Sequence, residues 1–155
     1  HFLTKVNTFL PHLSDLCFMN KKMLISTLWL FAILNYLYCD IFGLMDANVL
    51  SQFLDGTING IEVSPVFLLG ASVLMEIPIA MVLLSRILPV KTNKRVNLGA
   101  GMIMTVVQLA TLFVGSFTVY YLLFSIIEIT TTATIVRIAW YWKADSVRTE
   151  LPQVV

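Results

Sequence analysis

The chain has 155 residues, 58% of them hydrophobic and only 12% charged, with a mean hydropathy of +0.86. A soluble domain is about a quarter charged, so in water this composition would expose apolar surface that it cannot cover. The net charge of +1 gives no electrostatic footprint for nucleic acid.

The segment 1–22 comes first. Its apolar residues Phe2, Leu3, Val6, Phe9, Leu10, Leu13, Leu16 and Cys17 recur at helical spacing, and Pro11 interrupts them. This predicts an amphipathic segment lying on the cytoplasmic membrane surface. A partner-binding tail is the alternative. A signal peptide fits worse, because the apolar run after Lys21-Lys22 is too long and lacks a small-residue cleavage site. Four continuous apolar runs follow, at 23–45, 66–88, 96–115 and 119–142. A helix needs ~20 residues to cross ~30 Å of hydrocarbon, and all four runs are of that order. Barrel strands would alternate rather than run on. The expected fold class is therefore all-α, an integral membrane bundle of four transmembrane helices over 23–142, with a cytoplasmic tail at 143–155.

Between the first two runs, Asp46 is a plausible N-cap and Gly56 a plausible stop for a short amphipathic helix carrying Val49, Leu50, Phe53 and Leu54. Ser64-Pro65 opens the second run as cap and first-turn residue. Pro78 stands inside it, where it removes a backbone bond to Leu74 and predicts a kink. Pro89 closes it. The connection VKTNKR is short and basic, suited to anionic head groups or serving only as a topology signal. Gly99 and Gly101 open the third run and permit close helix approach. The fourth ends in Trp140-Tyr141-Trp142-Lys143, an interfacial anchor.

The ten Lys and Arg lie before the first run, around the second connection, or at the end of the fourth; none falls in 46–63. The positive-inside rule then places both termini in the cytoplasm. Cys17 and Cys39 belong to opposite ends of the first run, too far apart for one disulfide.

Each run carries a polar side chain toward the middle: Asn35, Glu76, Gln108 and Glu128. At 1.5 Å per residue all four fall roughly 10–15 Å below the outer boundary. Asp40 lies higher on the first run. An acid at such depth costs roughly 3 kcal/mol or more unless it faces the bundle and finds partners. Small and hydroxyl residues flank three of them: Ser72 and Ala80 around Glu76, Gly101, Thr105 and Thr111 around Gln108, and Ser125 and Thr132 around Glu128. These stripes predict that both glutamates face one interior space. Arg137 is ~13 Å along the helix from Glu128, too far to pair with it.

The segments 40–46 (DIFGLMD), 67–70 (FLLG) and 75–86 (MEIPIAMVLLSR) resemble a family of small bacterial four-helix membrane proteins of unknown function. The likeness covers about 22–143, and its Glu-Ile-Pro element is the most specific part. In size and plan the chain also loosely resembles the DoxX-like group. Neither resemblance supplies a catalytic residue; the first implies the inner membrane of a bacterium.

There is no zinc spacing, P-loop, nucleotide fingerprint or nucleophile with an evident base, so no enzyme, cofactor or metal is expected. The leading expectation is a membrane protein whose polar layer (Glu76, Glu128, Gln108, Asn35, Asp40) binds a proton, a cation or a small lipophilic ligand, as a transporter or accessory subunit. The alternative is a structural or partner-binding subunit with no ligand. Expected partners are the bilayer and either another membrane subunit or a second copy. The topology has a direct check. A cysteine placed at Thr92 should resist membrane-impermeant reagent in intact cells while one at Asn59 reacts; the reverse pattern refutes the orientation.

Overall fold

A computed structural model describes residues 21–114 and 118–142. The expectations for the amphipathic leader and the tail lie outside those residues, as does Cys17. Four helices are long and apolar enough to span a membrane: α1 (Lys21–Met45), α3 (Pro65–Ile87), α4 (Val90–Val114) and α5 (Val119–Trp140). A short fifth helix, α2 (Ala47–Leu54), follows α1. Sequence neighbours are spatial neighbours. Helix α1 packs on α3 and α5, and α4 packs on α5 and over a shorter stretch on α3. The order around the bundle is thus α1, α3, α4, α5, an up-and-down arrangement that short connections favour.

The helix starts follow the sequence signals. Ser64 accepts from the Phe67 amide at 3.2 Å, with Pro65 in the first turn. Asp46 caps α2 by accepting from the Asn48 amide at 2.9 Å. After α2 the chain does something the helical reading did not include: β1 (Thr57–Ile58) and β2 (Ile61–Glu62) pair antiparallel. Asn59 and Gly60 turn between them, both at positive φ, 48° and 79°. Asn-Gly is the favoured pair for such a two-residue hairpin turn, and the Gln52 side chain fastens it to α2 by accepting from the Asn59 amide at 2.8 Å.

One boundary differs from expectation by almost two turns. Helix α4 begins at Val90 rather than 96, so VKTNKR is helix and the connection shrinks to Leu88-Pro89. Pro89, which has no N–H to lose, accepts the Asn93 amide at 2.9 Å and starts the new helix as it ends the old one. Helix α3 runs as one helix through Pro78, which is buried.

Polarity is inverted relative to a soluble bundle. The inward face of α1 is Ile25, Trp29, Ala32, Tyr36 and Cys39, alternating steps of four and three. Facing it, α4 buries Asn93, Asn97, Ala100, Met104 and Gln108, and α5 buries Ser125, Glu128, Thr132, Ile135 and Ala139. Six of those ten side chains carry hydrogen-bonding groups that can be satisfied only inside the protein. The outside is Leu, Ile, Val and Phe, with Phe113 84% exposed. Bundles in hydrocarbon associate through small residues and internal polar contacts, and these packing faces fit that rule.

Gly101 marks a close approach of α4 to α5. A Cβ built there would lie 2.7 Å from Val136 Cγ2, while one on Gly99 meets nothing within 4 Å. Of the two glycines expected to allow close contact, only Gly101 does. Gly101→Val should therefore destabilise the α4–α5 contact by about 1–3 kcal/mol, whereas Gly99→Ala should be neutral or gain about 0.5–1 kcal/mol from helix propensity. Thermal melts of the detergent-purified variants compare the two directly.

Candidate functional site

Two polar groups of different character lie along the bundle. The first sits near the end that carries Lys21, Lys22, Arg86, Lys91, Lys94 and Arg95. Asn97 Oδ1 accepts from Trp29 Nε1 at 2.7 Å and from Ser85 Oγ at 3.1 Å. Asn97 Nδ2 donates to the Asn93 carbonyl at 2.9 Å and to the Asn93 side-chain oxygen. Asn93 Nδ2 in turn donates to the Ser85 carbonyl at 2.6 Å. Beside this network Ser26 Oγ donates to the Val82 carbonyl at 2.7 Å and accepts from Arg86 Nε at 2.9 Å. Trp29, Ser26, Ser85, Asn93 and Asn97 are all fully buried, and each finds its partners. This is a satisfied network, the kind that fixes helix positions.

The second group lies nearer the opposite end and is not satisfied. Glu128 is 1% exposed, and neither carboxyl oxygen has a hydrogen-bond partner among the described residues. The buried Tyr36 hydroxyl is likewise unpartnered. Tyr36 and Cys39 of α1 lie within electrostatic reach of Glu128, as does Asp40. Tyr121, one helical turn from Ser125, approaches Ser125, Thr111 and Glu128. On the α4 side Gln108 Nε2 donates to Ser125 Oγ at 3.1 Å. One turn toward the basic end, Thr105 Oγ1 lies 2.9 Å from Thr132 Oγ1, and Thr132 donates to the Glu128 carbonyl at 3.0 Å. The Glu128 backbone is thus held firmly while its carboxyl is left without a bond.

The sequence-derived candidates divide accordingly. Gln108 and Glu128 come together as expected, and Asp40, although exposed on α1, is close enough to feel Glu128. Asn35 does not join them, because its Nδ2 donates to the Phe31 carbonyl of its own helix at 2.8 Å. Glu76 does not join them either. It is exposed, and the expectation that it shares an interior with Glu128 is corrected. The inward face of α3 is Pro78, Met81 and Ser85, and a residue two before Pro78 lies roughly 200° around the helix. The Ser72–Ala80 stripe misled because Ser72 satisfies its own hydroxyl on the Leu68 carbonyl at 2.8 Å. The outer part of α3 also stands apart, with residues 65–73 all exposed.

A family model described as a family of unknown function (DUF6326) matches residues 17–149. The chain belongs to that family. No curated protein matches the chain, and no solved structure does. The match agrees with the resemblance carried by the Glu-Ile-Pro segment in pointing to proteins without an assigned activity, and it extends past both ends of that resemblance.

For this DUF6326 member, function must be argued from the site. Sequence reasoning missed Tyr36, which is one turn of the α1 heptad from Ala32 and Cys39, and it missed Asn93 and Asn97, which it placed in or beside a solvated loop. The i, i+4 spacing of those two asparagines, continued by Gly101 and Thr105, was the available signal. No group of three His, Cys, Asp or Glu side chains among the described residues could hold a metal ion. The two groups predict opposite responses to the same chemistry. Asn97→Leu strands the Trp29 indole N–H and an Asn93 group, and should cost about 1–3 kcal/mol per buried group left unpaired. Glu128→Leu removes a buried group that has no partner, so the melting temperature should hold or rise. A large loss for Glu128→Leu would show that its carboxyl has a structural role.

Proposed function

We propose that the chain is a non-enzymatic, multi-pass protein of a bacterial cytoplasmic (inner) membrane, whose interior acid Glu128 binds a proton or a small cation in transport or in an accessory subunit role. Four apolar helices with an inverted exterior support membrane insertion. The one-sided Lys and Arg support cytoplasmic termini, and the bacterial setting rests on the resemblance of residues 75–86. The observation that carries the reading is the unpartnered Glu128 carboxyl at 1% exposure.

An ionised carboxylate without partner in a low-dielectric interior is expensive. A proton or a cation arriving at the carboxyl removes that cost, so the site is built to respond to one. Tyr36, whose hydroxyl is also without a partner among the described residues, lies within electrostatic reach of Glu128 and adds a second polar group to the same interior. Gln108 and Ser125 bond to each other and form a polar neighbourhood on the α4 side. The near-complete enclosure of Glu128 favours a very small species over a lipophilic ligand. Buried polar groups that cost stability are characteristic of ion and proton sites within membrane spans.

A second reading, a partner-binding subunit, is favoured by Glu76. It is a mid-helix acid exposed on α3, and another polypeptide would relieve its contact with hydrocarbon.

Infrared difference spectroscopy of the reconstituted protein tests the first reading. Changing pH, or adding Na⁺ at fixed pH, should alter a carboxyl C=O band that is absent in Glu128→Gln and retained in Glu76→Gln. Tyr36→Phe should move the midpoint of that change without abolishing it. A spectrum in which Glu128→Gln responds like the unsubstituted protein would sink the proposal.

A further inference from the structure

A cavity of about 720 Å³ opens at the basic end of the bundle, lined by Val90, Lys91, Lys94, Arg95, Trp140, Tyr141 and Trp142. From the chemistry of that lining we infer that it holds the phosphate head group of an anionic phospholipid. This goes beyond the Glu128 site, which it does not involve, and rests only on the membrane reading above.

Three features agree. First, Lys91, Lys94 and Arg95 stand at i, i+3 and i+4 in the opening turns of α4 and so share one face. They bring three positive charges to one cavity. The described carboxylates lie at mid-bundle or beyond: Asp40, Asp46, Asp55, Glu62, Glu76 and Glu128. Lys91 and Arg95 are exposed and pair with none of them. Second, the wall opposite is aromatic. Trp140 is 62% and Tyr141 72% exposed at the end of a helix whose other exposed residues are largely aliphatic. Rings with one apolar and one polar edge settle at the level where glycerol and head group meet the acyl chains. Third, the two walls are tied together, since Lys94 Nζ donates to the Trp142 carbonyl at 3.3 Å and Trp142 is buried. The tie fixes the cavity's shape and leaves Lys91 and Arg95 to reach the ligand.

The first amides of α4 also point toward this end, where unpaired N–H groups favour an anion. A phosphodiester accepts from Arg95 and Lys91, while its glycerol and upper acyl carbons rest on Trp140 and Tyr141. A free anion would use the cations but not the exposed rings, which is why the lipid is the better occupant.

The test uses the full chain, recovered from the membrane fraction in detergent and titrated with phosphatidylglycerol or phosphatidylcholine by native mass spectrometry. Phosphatidylglycerol should bind at least tenfold more tightly. Lys91→Gln/Arg95→Gln, which changes only exposed side chains, should weaken it by roughly fivefold per charge removed and leave phosphatidylcholine unaffected. Arg137→Gln, a cation at the same end but outside the cavity, should change it less than twofold. Equal retention of the two lipids overturns the inference, as does an unchanged double variant or an equal loss in Arg137→Gln. Displacement of the lipid by millimolar inorganic phosphate would identify a soluble anion site instead. Recovery of the chain in the soluble fraction would defeat the membrane reading itself, separately from these outcomes.

Discussion

A single amide joins three helices. Asn97 on α4 accepts from Trp29 on α1 and from Ser85 on α3 through one side-chain oxygen. Its nitrogen is spent on Asn93, whose own nitrogen returns to the Ser85 carbonyl. All of these groups are fully buried, so each must find its partner inside the protein or leave a full desolvation penalty behind. That requirement fixes the rotation of α1, α3 and α4 at this level far more tightly than apolar contact could, because Leu against Leu is worth little more than Leu against an acyl chain. The fourth helix, α5, is placed by other means, the Gly101–Val136 approach and the Thr105–Thr132 hydroxyl contact.

With three helices fixed at the basic end, the opposite half is free to be built differently. Residues 65–73 of α3 are all exposed, and among the described helices α5 is packed by α1 and α4. Tyr36, Ser125, Gln108 and Glu128 occupy this less crowded half. Their bonding is incomplete where the Asn97 network is closed. A chain that can satisfy five buried polar side chains in one layer, and leaves a carboxyl and a phenol unsatisfied in the next, is not short of donors. Marginal stability tolerates such a cost where the group has a task.

Level along each helix was legible in the sequence; direction around it was legible for Gln108 and Glu128, whose small and hydroxyl neighbours are buried with them, but not for Glu76. The four apolar runs, the caps at Asp46 and Ser64, and the level of Gln108 and Glu128 all follow from counting residues. The facing of Glu76 required knowing which side of α3 is buried. In water an apolar stripe reports that side. In a helix apolar on every face the stripe vanishes, and the reader falls back on small residues, which here marked an exposed surface. The same blindness hid Tyr36, one aromatic residue among many. Asn93 and Asn97 were obscured for another reason: flanking Lys and Arg made a helix start look like a loop. The Asn59-Gly60 turn was legible and was passed over in favour of the neighbouring amphipathic helix.

The two layers differ in how completely the groups between Glu128 and each end of the bundle are bonded. A proton or ion moving inward from the basic end would have to cross the Trp29–Asn97–Ser85–Asn93 layer, whose side chains are fully buried and whose bonds are complete. Opening it means breaking several buried interhelical bonds at once. Toward the other end the described residues within electrostatic reach of Glu128 include the partly buried Tyr121 and the exposed Asp40, and among the described residues helix α3 makes no packed contact with α5. Relative displacement of α3 there breaks no interhelical hydrogen bond among the described residues. Asp40 lies within electrostatic reach of Glu128, so a positive charge near either acid would be attracted by both.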